Sequence, residues 1–240
     1  MFVGMWMTKD VITVPLDMPI LEARDVMKEN LVRRLPVLKN GKLVGIVTQG
    51  DIQEAGPSDA TSLSIWELNY LLARMTVKEI MTKDVITVSP ETPIEEAALI
   101  MRRKKIGGLP VIEDDKLVGI ITESDIFGVL IEAMGIEKGG LRLTLELKNK
   151  PEALSEFLDV IRQQGIRLIS LVTWEWCKNS PHHNVVVARI DRGDCEAIVE
   201  ELRKRGIRLL DVRVGGTGGL TQIRPKADSS HCANAGFALS

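Results

Sequence analysis

Hydrophobic and polar positions in the first half of the chain follow one pattern, and the pattern is written twice. A β-branched run, DVITV, opens each copy at residues 10–14 and 84–88 and reads as a short strand. Apolar residues at helical spacing come next, clearest in the second copy at Ile94, Ala97, Ala98 and Met101. There Thr92 stands as N-cap, Pro93 as first helical residue and Glu95 as the acid closing a capping box; Leu21 takes that acid's place in the first copy. LPVLKNGKLVGIVT then reads as a hairpin turning at Asn40-Gly41. The second copy has the weaker turn signal Asp114-Asp115. Asp51 and Asp125 open a second helix in each copy. The predicted order is strand, helix, strand, strand, helix.

The duplication is literal over eight residues: MTKDVITV occupies 7–14 and again 81–88. At that offset of 74, no gap is needed up to residue 52, and Val3 also falls on Val77. Two short copies point to two small modules packed on each other, because either alone would bury too little surface. Between them Gly56-Pro57-Ser58 breaks the chain. A connecting helix follows, with Ser64 and Glu67 as capping box and Ile65, Leu68, Leu72 and Met75 as apolar stripe. Its Trp66 and Tyr70 suit packing between modules or a partner surface.

After Gly139-Gly140 the rhythm changes. LRLTLEL alternates as a strand, PEALSEFLDVIRQQG is a helix started by Pro151 and stopped by Gly165, and IRLISLVTWEW and NVVVARI are strands. A helix over 194–205 ends at Gly206, and IRLLDVRV is a last strand. The order βαββαβ is ferredoxin-like. Beyond Val214 the chain is glycine-rich with no periodic apolar face and reads as a flexible tail. The expected fold class is α+β, with a first module over 1–62, connecting helix and second module over 63–138, a ferredoxin-like domain over 139–214 and a tail over 215–240.

Composition narrows the function. The 240 residues are 45% hydrophobic and 27% charged, with net charge −2 and pI about 6.0. That balance argues against a general binder of nucleic acid or of anionic membranes, without excluding a local anion pocket. Cys177, Cys195 and Cys232 are odd in number and far apart, as in a protein with reduced thiols. No signal peptide and no membrane-length apolar run is visible, so a cytoplasmic protein is expected. His182-His183 lacks partners at ligand spacing and reads as a solvated turn rather than a metal site. No nucleophile elbow, Walker loop, HExxH or GxGxxG occurs, and no enzyme activity is expected.

Candidate chemistry lies where strands enter helices. Thr48 with Asp51, and Thr122 with Asp125, share a Thr-x-x-Asp spacing. It suits an ordinary N-cap. It equally suits a ligand site, with helix N–H groups and a hydroxyl for a phosphate and a carboxylate for a vicinal diol. Where the LPV strand begins, Arg33-Arg34 in the first copy aligns with Gly107-Gly108 in the second. Glycines admit a ligand close to the backbone; arginines narrow the space but supply cations for phosphate. The two clefts are therefore expected to be inequivalent. Arg102-Arg103-Lys104-Lys105 reads as a solvated helix end or as further phosphate ligands.

The twice-repeated DVITV, LPV and GI(V/I)TxxD motifs resemble a tandem pair of CBS domains, a Bateman module, across roughly residues 1–138. The resemblance implies clefts between two pseudo-symmetric modules that take adenine nucleotides (AMP, ADP, ATP) or related ligands such as S-adenosylmethionine or NAD. It implies ribose binding at Asp51 and Asp125 and a base near Ile12, Thr13, Ile86 and Thr87. Arg34, Pro36, Thr48, Gly108, Pro110 and Thr122 complete the implied site. It also implies a homodimer. KNKPEAL at 148–154 resembles the strand-to-helix corner of ACT domains, which bind amino acids at subunit interfaces. Asn149 and Glu152 replace that family's acid and glycine, which points to dimerisation or signal relay instead. The composite is similar to bacterial acetoin-utilisation accessory proteins and implies a regulator with a partner enzyme. The alternatives are an amino-acid sensor and a ligand-free scaffold.

Overall fold

The computed structural model describes residues 1–56, 72, 74–148, 150–175, 183–191, 195–216 and 219–222. The expected Ser64–Glu67 capping box, Trp66, Tyr70, Cys177, Cys232, His182, Asn149 and most of the tail lie outside the described residues. The chain divides into two compact units, Met1–Phe127 and Gly128–Ser240, and its fold is α+β.

In the first unit the first copy contains β1 (Val14–Pro15), α1 (Ile20–Glu29), β2 (Arg34–Lys39), β3 (Lys42–Thr48) and α2 (Gln49–Glu54). After α3 (Val77–Ile80), the second copy contains α4 (Ile94–Lys104), β4 (Gly108–Glu113), β5 (Lys116–Thr122) and α5 (Glu123–Ala133), whose residues from Gly128 on are counted in the second unit. The hairpins β2–β3 and β4–β5 share one register, with a bulge after Val37 and after Val111. Asn40 and Gly41 turn the first with positive φ; Asp114 and Asp115 adopt the same left-handed pair in the second, as a tight hairpin requires. The cores are also copies. Val14, Ile20, Ala23, Met27, Leu35, Val37 and Val47 are buried, and so are Val88, Ile94, Ala97, Met101, Leu109, Val111 and Ile121, each 74 positions on.

Two local expectations are corrected. The DVITV strand is cut to β1, whose Val14 pairs in parallel with Val37, and to a single bridge from Val88 to Val111. The preceding residues turn locally instead, with the Val11 and Val85 amides bonding the Lys9 and Lys83 carbonyls at 3.0 Å. The capping box at Thr92 does not form. Pro93 is the N-cap without a side-chain bond, and the Thr92 hydroxyl bonds Ser89. The Ile94 amide donates instead to the Met1 carbonyl at 3.1 Å, so the helix start needs no side-chain cap.

The second unit has β6 (Gly140–Lys148), α6 (Pro151–Gln163), β7 (Leu168–Glu175), β8 (His183–Ile190), α7 (Cys195–Lys204), β9 (Arg208–Gly216) and β10 (Gly219–Gln222). The antiparallel sheet runs β10-β9-β6-β8-β7. Its first four chain-ordered strands give the ferredoxin-like arrangement, and β10 adds an edge strand where only glycine-rich chain was expected. Leu143, Leu145, Phe157, Ile190, Ile198 and Leu202 form its core. On β8 the buried Arg189 donates to the Met134 carbonyl at 3.1 Å and the Gly139 carbonyl at 3.0 Å. Burial, and then the neighbouring Arg142, lower its pKa. Among the described residues no helix is long and apolar enough to cross a membrane.

Candidate ligand-binding cleft

Within the first unit, a cleft of about 600 Å³ is lined by both copies. From the first copy come the start of β2 (Arg33, Arg34), Ile46, Thr48 and the first turns of α2. From the second come Thr82, Asp84, Val85 and Ile86, the end of α4 (Lys104, Lys105), and Ile106, Gly107, Gly108 and Pro110. Chain pairing sets this meeting. Ile46 and Thr82 exchange both backbone hydrogen bonds at 2.9 Å, which ties the second copy's entry segment to the first copy's hairpin.

Thr48 and Asp51 form a reciprocal capping box. The Thr48 amide and hydroxyl donate to Asp51 Oδ2 at 2.7 and 2.9 Å, and the Asp51 amide donates to Thr48 Oγ1 at 3.3 Å. Asp125 Oδ2 accepts from the amide and hydroxyl of Thr122, both at 2.7 Å. Each carboxylate thus spends one oxygen on the cap, and Oδ1 makes no hydrogen bond among the described residues. Capping and ligand binding are compatible rather than exclusive.

Arg34 sits opposite Thr48 in the hairpin, as Gly108 sits opposite Thr122. Its guanidinium lies over Gly107 and Gly108; a Cβ on Gly108 would collide with Nη1. These glycines therefore give room to Arg34. The guanidinium is half-buried, and its Nη1 is buried without a hydrogen-bond partner among the described residues. Burial lowers the Arg34 pKa; Glu123 opposes that shift and Arg33 adds to it.

Of the residues expected at the site, Arg34, Thr48, Asp51, Ile86, Gly108 and Pro110 line this cleft. Thr87 lines a separate hollow of about 290 Å³ with Lys42, Lys83 and Asp115. Ile12, Thr13, Pro36, Thr122 and Asp125 line neither of these two cavities. Thr82, Asp84 and Gln49 were missed by sequence reasoning. The signal for Thr82 was present, since it belongs to the repeated MTKDVITV. Lys104 and Lys105 face the cleft because Lys105 takes a left-handed conformation (φ 56°) that ends α4 there.

The architecture is thus a duplicated α/β pair enclosing a cleft, followed in the chain by a ferredoxin-like domain. The chain belongs to the CBS-domain proteins: residues 3–58 and 77–132 match the CBS domain, and residues 139–213 match the TTHA0829-like ACT domain. It is 44% identical over 120 residues to an inosine-5′-monophosphate dehydrogenase of Korarchaeum cryptofilum, spanning 50% of this chain but 22% of that enzyme. It is 33% identical to a CBS domain-containing protein of Dictyostelium discoideum over 53% of this chain and 90% of that one. Similar solved structures include the CBS pair of protein MJ0100 in complex with 5′-methylthioadenosine and S-adenosyl-L-methionine (32% identity, 54% of this chain and 95% of that one, TM-score 0.46). Another is a proposed acetoin utilization protein (AcuB) from Vibrio cholerae (33% identity, 55% and 90%, TM-score 0.47).

Proposed function

We propose that the protein is a non-enzymatic regulator that binds an adenine nucleotide in the cleft between its two CBS modules. The cleft geometry carries this reading. Its volume lies in the range of small-molecule sites. It joins a carboxylate with a spare oxygen, suited to ribose hydroxyls, to a group of cations suited to phosphate. Ile46, Val85, Ile86 and Pro110 supply apolar surface for a base. Binding regulates only if the ligand prefers one of two conformations of the pair. The ACT domain then acts as a dimerisation or relay element toward a second copy or a partner enzyme in the cytoplasm.

Thermal unfolding of the full chain with AMP, ADP, ATP, S-adenosylmethionine, NAD and the common amino acids tests the reading. A ligand at a hundred times its dissociation constant adds about 2.7 kcal/mol. A nucleotide shift that Asp51→Ala abolishes is expected. A shift with amino acids alone would assign sensing to the ACT domain, and no shift at all would leave a scaffold.

A further inference from the structure

The two copies are related by a pseudo-twofold axis. Thr8 pairs with Ile120 as Thr82 pairs with Ile46. Met7 packs on Gly119 as Met81 packs on Gly45. Every residue of the described cleft therefore has a counterpart 74 positions away, and the counterparts differ in charge. The described cleft carries four cations, Arg33, Arg34, Lys104 and Lys105, against the carboxylates Asp51 and Asp84, a formal excess of two positive charges. The counterparts of the two lysines are Asn30 and Leu31. Those of Asp84 and Asp51 are Asp10 and Asp125, and Gln49 is replaced by Glu123. Arg33 and Arg34 belong to both sets, as counterparts of Gly107 and Gly108, so the described cleft has an excess of two positive charges and its counterpart set an excess of one negative charge.

Positions 34 and 108 are themselves counterparts and meet in space. One is arginine and the other glycine, so a single guanidinium is available where symmetry would offer two. Its orientation leaves Nη1 buried without an acceptor among the described residues, which is costly until one arrives. Glu123 already lies beside this guanidinium; an anion in the cleft that Arg34 turns to meet supplies the acceptor that Nη1 lacks.

We infer that each chain takes one phosphate-bearing ligand, in the cleft lined by Arg34, Lys104 and Lys105, and that Arg34 selects by charge. Phosphorylated nucleotides are accepted over uncharged adenosine and over the sulfonium cation S-adenosylmethionine. The inference deepens the proposed nucleotide reading and rests on the same cleft, but its anion part can be tested separately.

The test is calorimetric titration of the full chain with AMP, ATP, adenosine, S-adenosylmethionine and inorganic pyrophosphate. AMP is expected to bind once per chain, with adenosine and S-adenosylmethionine at least tenfold weaker. Arg34→Gln should weaken AMP roughly ten- to hundredfold, as expected for loss of a hydrogen bond from a charged group, and leave adenosine unchanged. AMP affinity of the unaltered chain should also fall as salt rises, a reading that survives if the variant fails to fold. Equal affinity for AMP and adenosine, or two equivalent AMP sites, would overturn the inference while preserving the nucleotide reading. Arg34-dependent pyrophosphate binding with no response to any adenosyl compound would do the reverse. Silence toward every compound would remove both.

Discussion

Thr48 and Asp51 show that the cap reading of this spacing holds and leaves room for the other: one carboxylate oxygen caps α2, and the second makes no hydrogen bond among the described residues. Sequence alone supplied this pair because both members act within four residues of each other. It did not supply the placement of Lys104 and Lys105, because their approach to the cleft depends on one left-handed residue at the end of α4. Nor did it explain the methionine that begins each repeated octapeptide. Met81 packs on Gly45, and a Cβ there would meet Met81 Sδ and stand 3.0 Å from its Cγ and 3.1 Å from the Thr82 carbonyl oxygen. Gly45→Ala is therefore expected to cost about 1–3 kcal/mol by overpacking. Adding Met81→Ala should recover part of the loss. A urea-unfolding double-mutant cycle measures this; additive losses would show that the contact does not carry the glycine's cost.

At the level of elements, helices and hairpins were legible wherever their signals were local. The Asn-Gly turn, Pro151 at the start of α6 and the βαββαβ order depend on neighbours in the chain. The starts of α1 and α4 were not legible, since the Ile20 and Ile94 amides bond carbonyls of Met75 and Met1 far along the sequence. A capping box does form at α3, where the Thr76 amide donates to Glu79 Oε1 at 2.9 Å and the hydroxyl donates at 2.8 Å. The backbone bond first, then the hydroxyl bond, holds the Glu79 pKa below its usual value. Because the folded pKa is depressed, this contribution is fully present above the ordinary carboxylate range and is lost as pH falls through the folded pKa. An NMR titration should find Glu79 protonating below a free glutamate, and Thr76→Val should move it only part of the way back. In the second unit, Arg189 fastens the chain after α5 to β8 through two carbonyls. Arg189→Leu removes both bonds, and among the described residues only the Met134 carbonyl keeps a side-chain donor, the Ser170 hydroxyl at 2.9 Å; the change is expected to cost about 1.5–3 kcal/mol in urea unfolding.

Across the first unit as a whole, the repeat acquires a meaning that no single copy contains. Residues 1–8 serve the second copy: Val3 and Gly4 amides bond the Thr92 and Pro90 carbonyls at 2.9 and 2.8 Å, and Thr8 bonds Ile120. Residues 75–82 serve the first copy in the same way, with Val77 and Lys78 amides on Met18 and Leu16 at 2.9 and 3.0 Å. Each module is completed by the arm that introduces the other. Val3 and Val77 are both fully buried, and Val77 belongs to the first copy's core. The offset of 74 was plain in the sequence, but the exchange of arms was not, because repeated letters do not say which copy they pack against. Crossed effects follow from the exchange. Val3→Ala should loosen the second copy and speed amide hydrogen exchange across α4 more than across α1. Val77→Ala should do the opposite, although it lies at the threshold of the second copy. Exchange that quickens within each mutated residue's own repeat would mean that the arms contribute little beyond their local turns. The cleft would then have no reason to respond as one body to a ligand touching both halves, whereas interlocked arms make a closure felt by one module a displacement of the other.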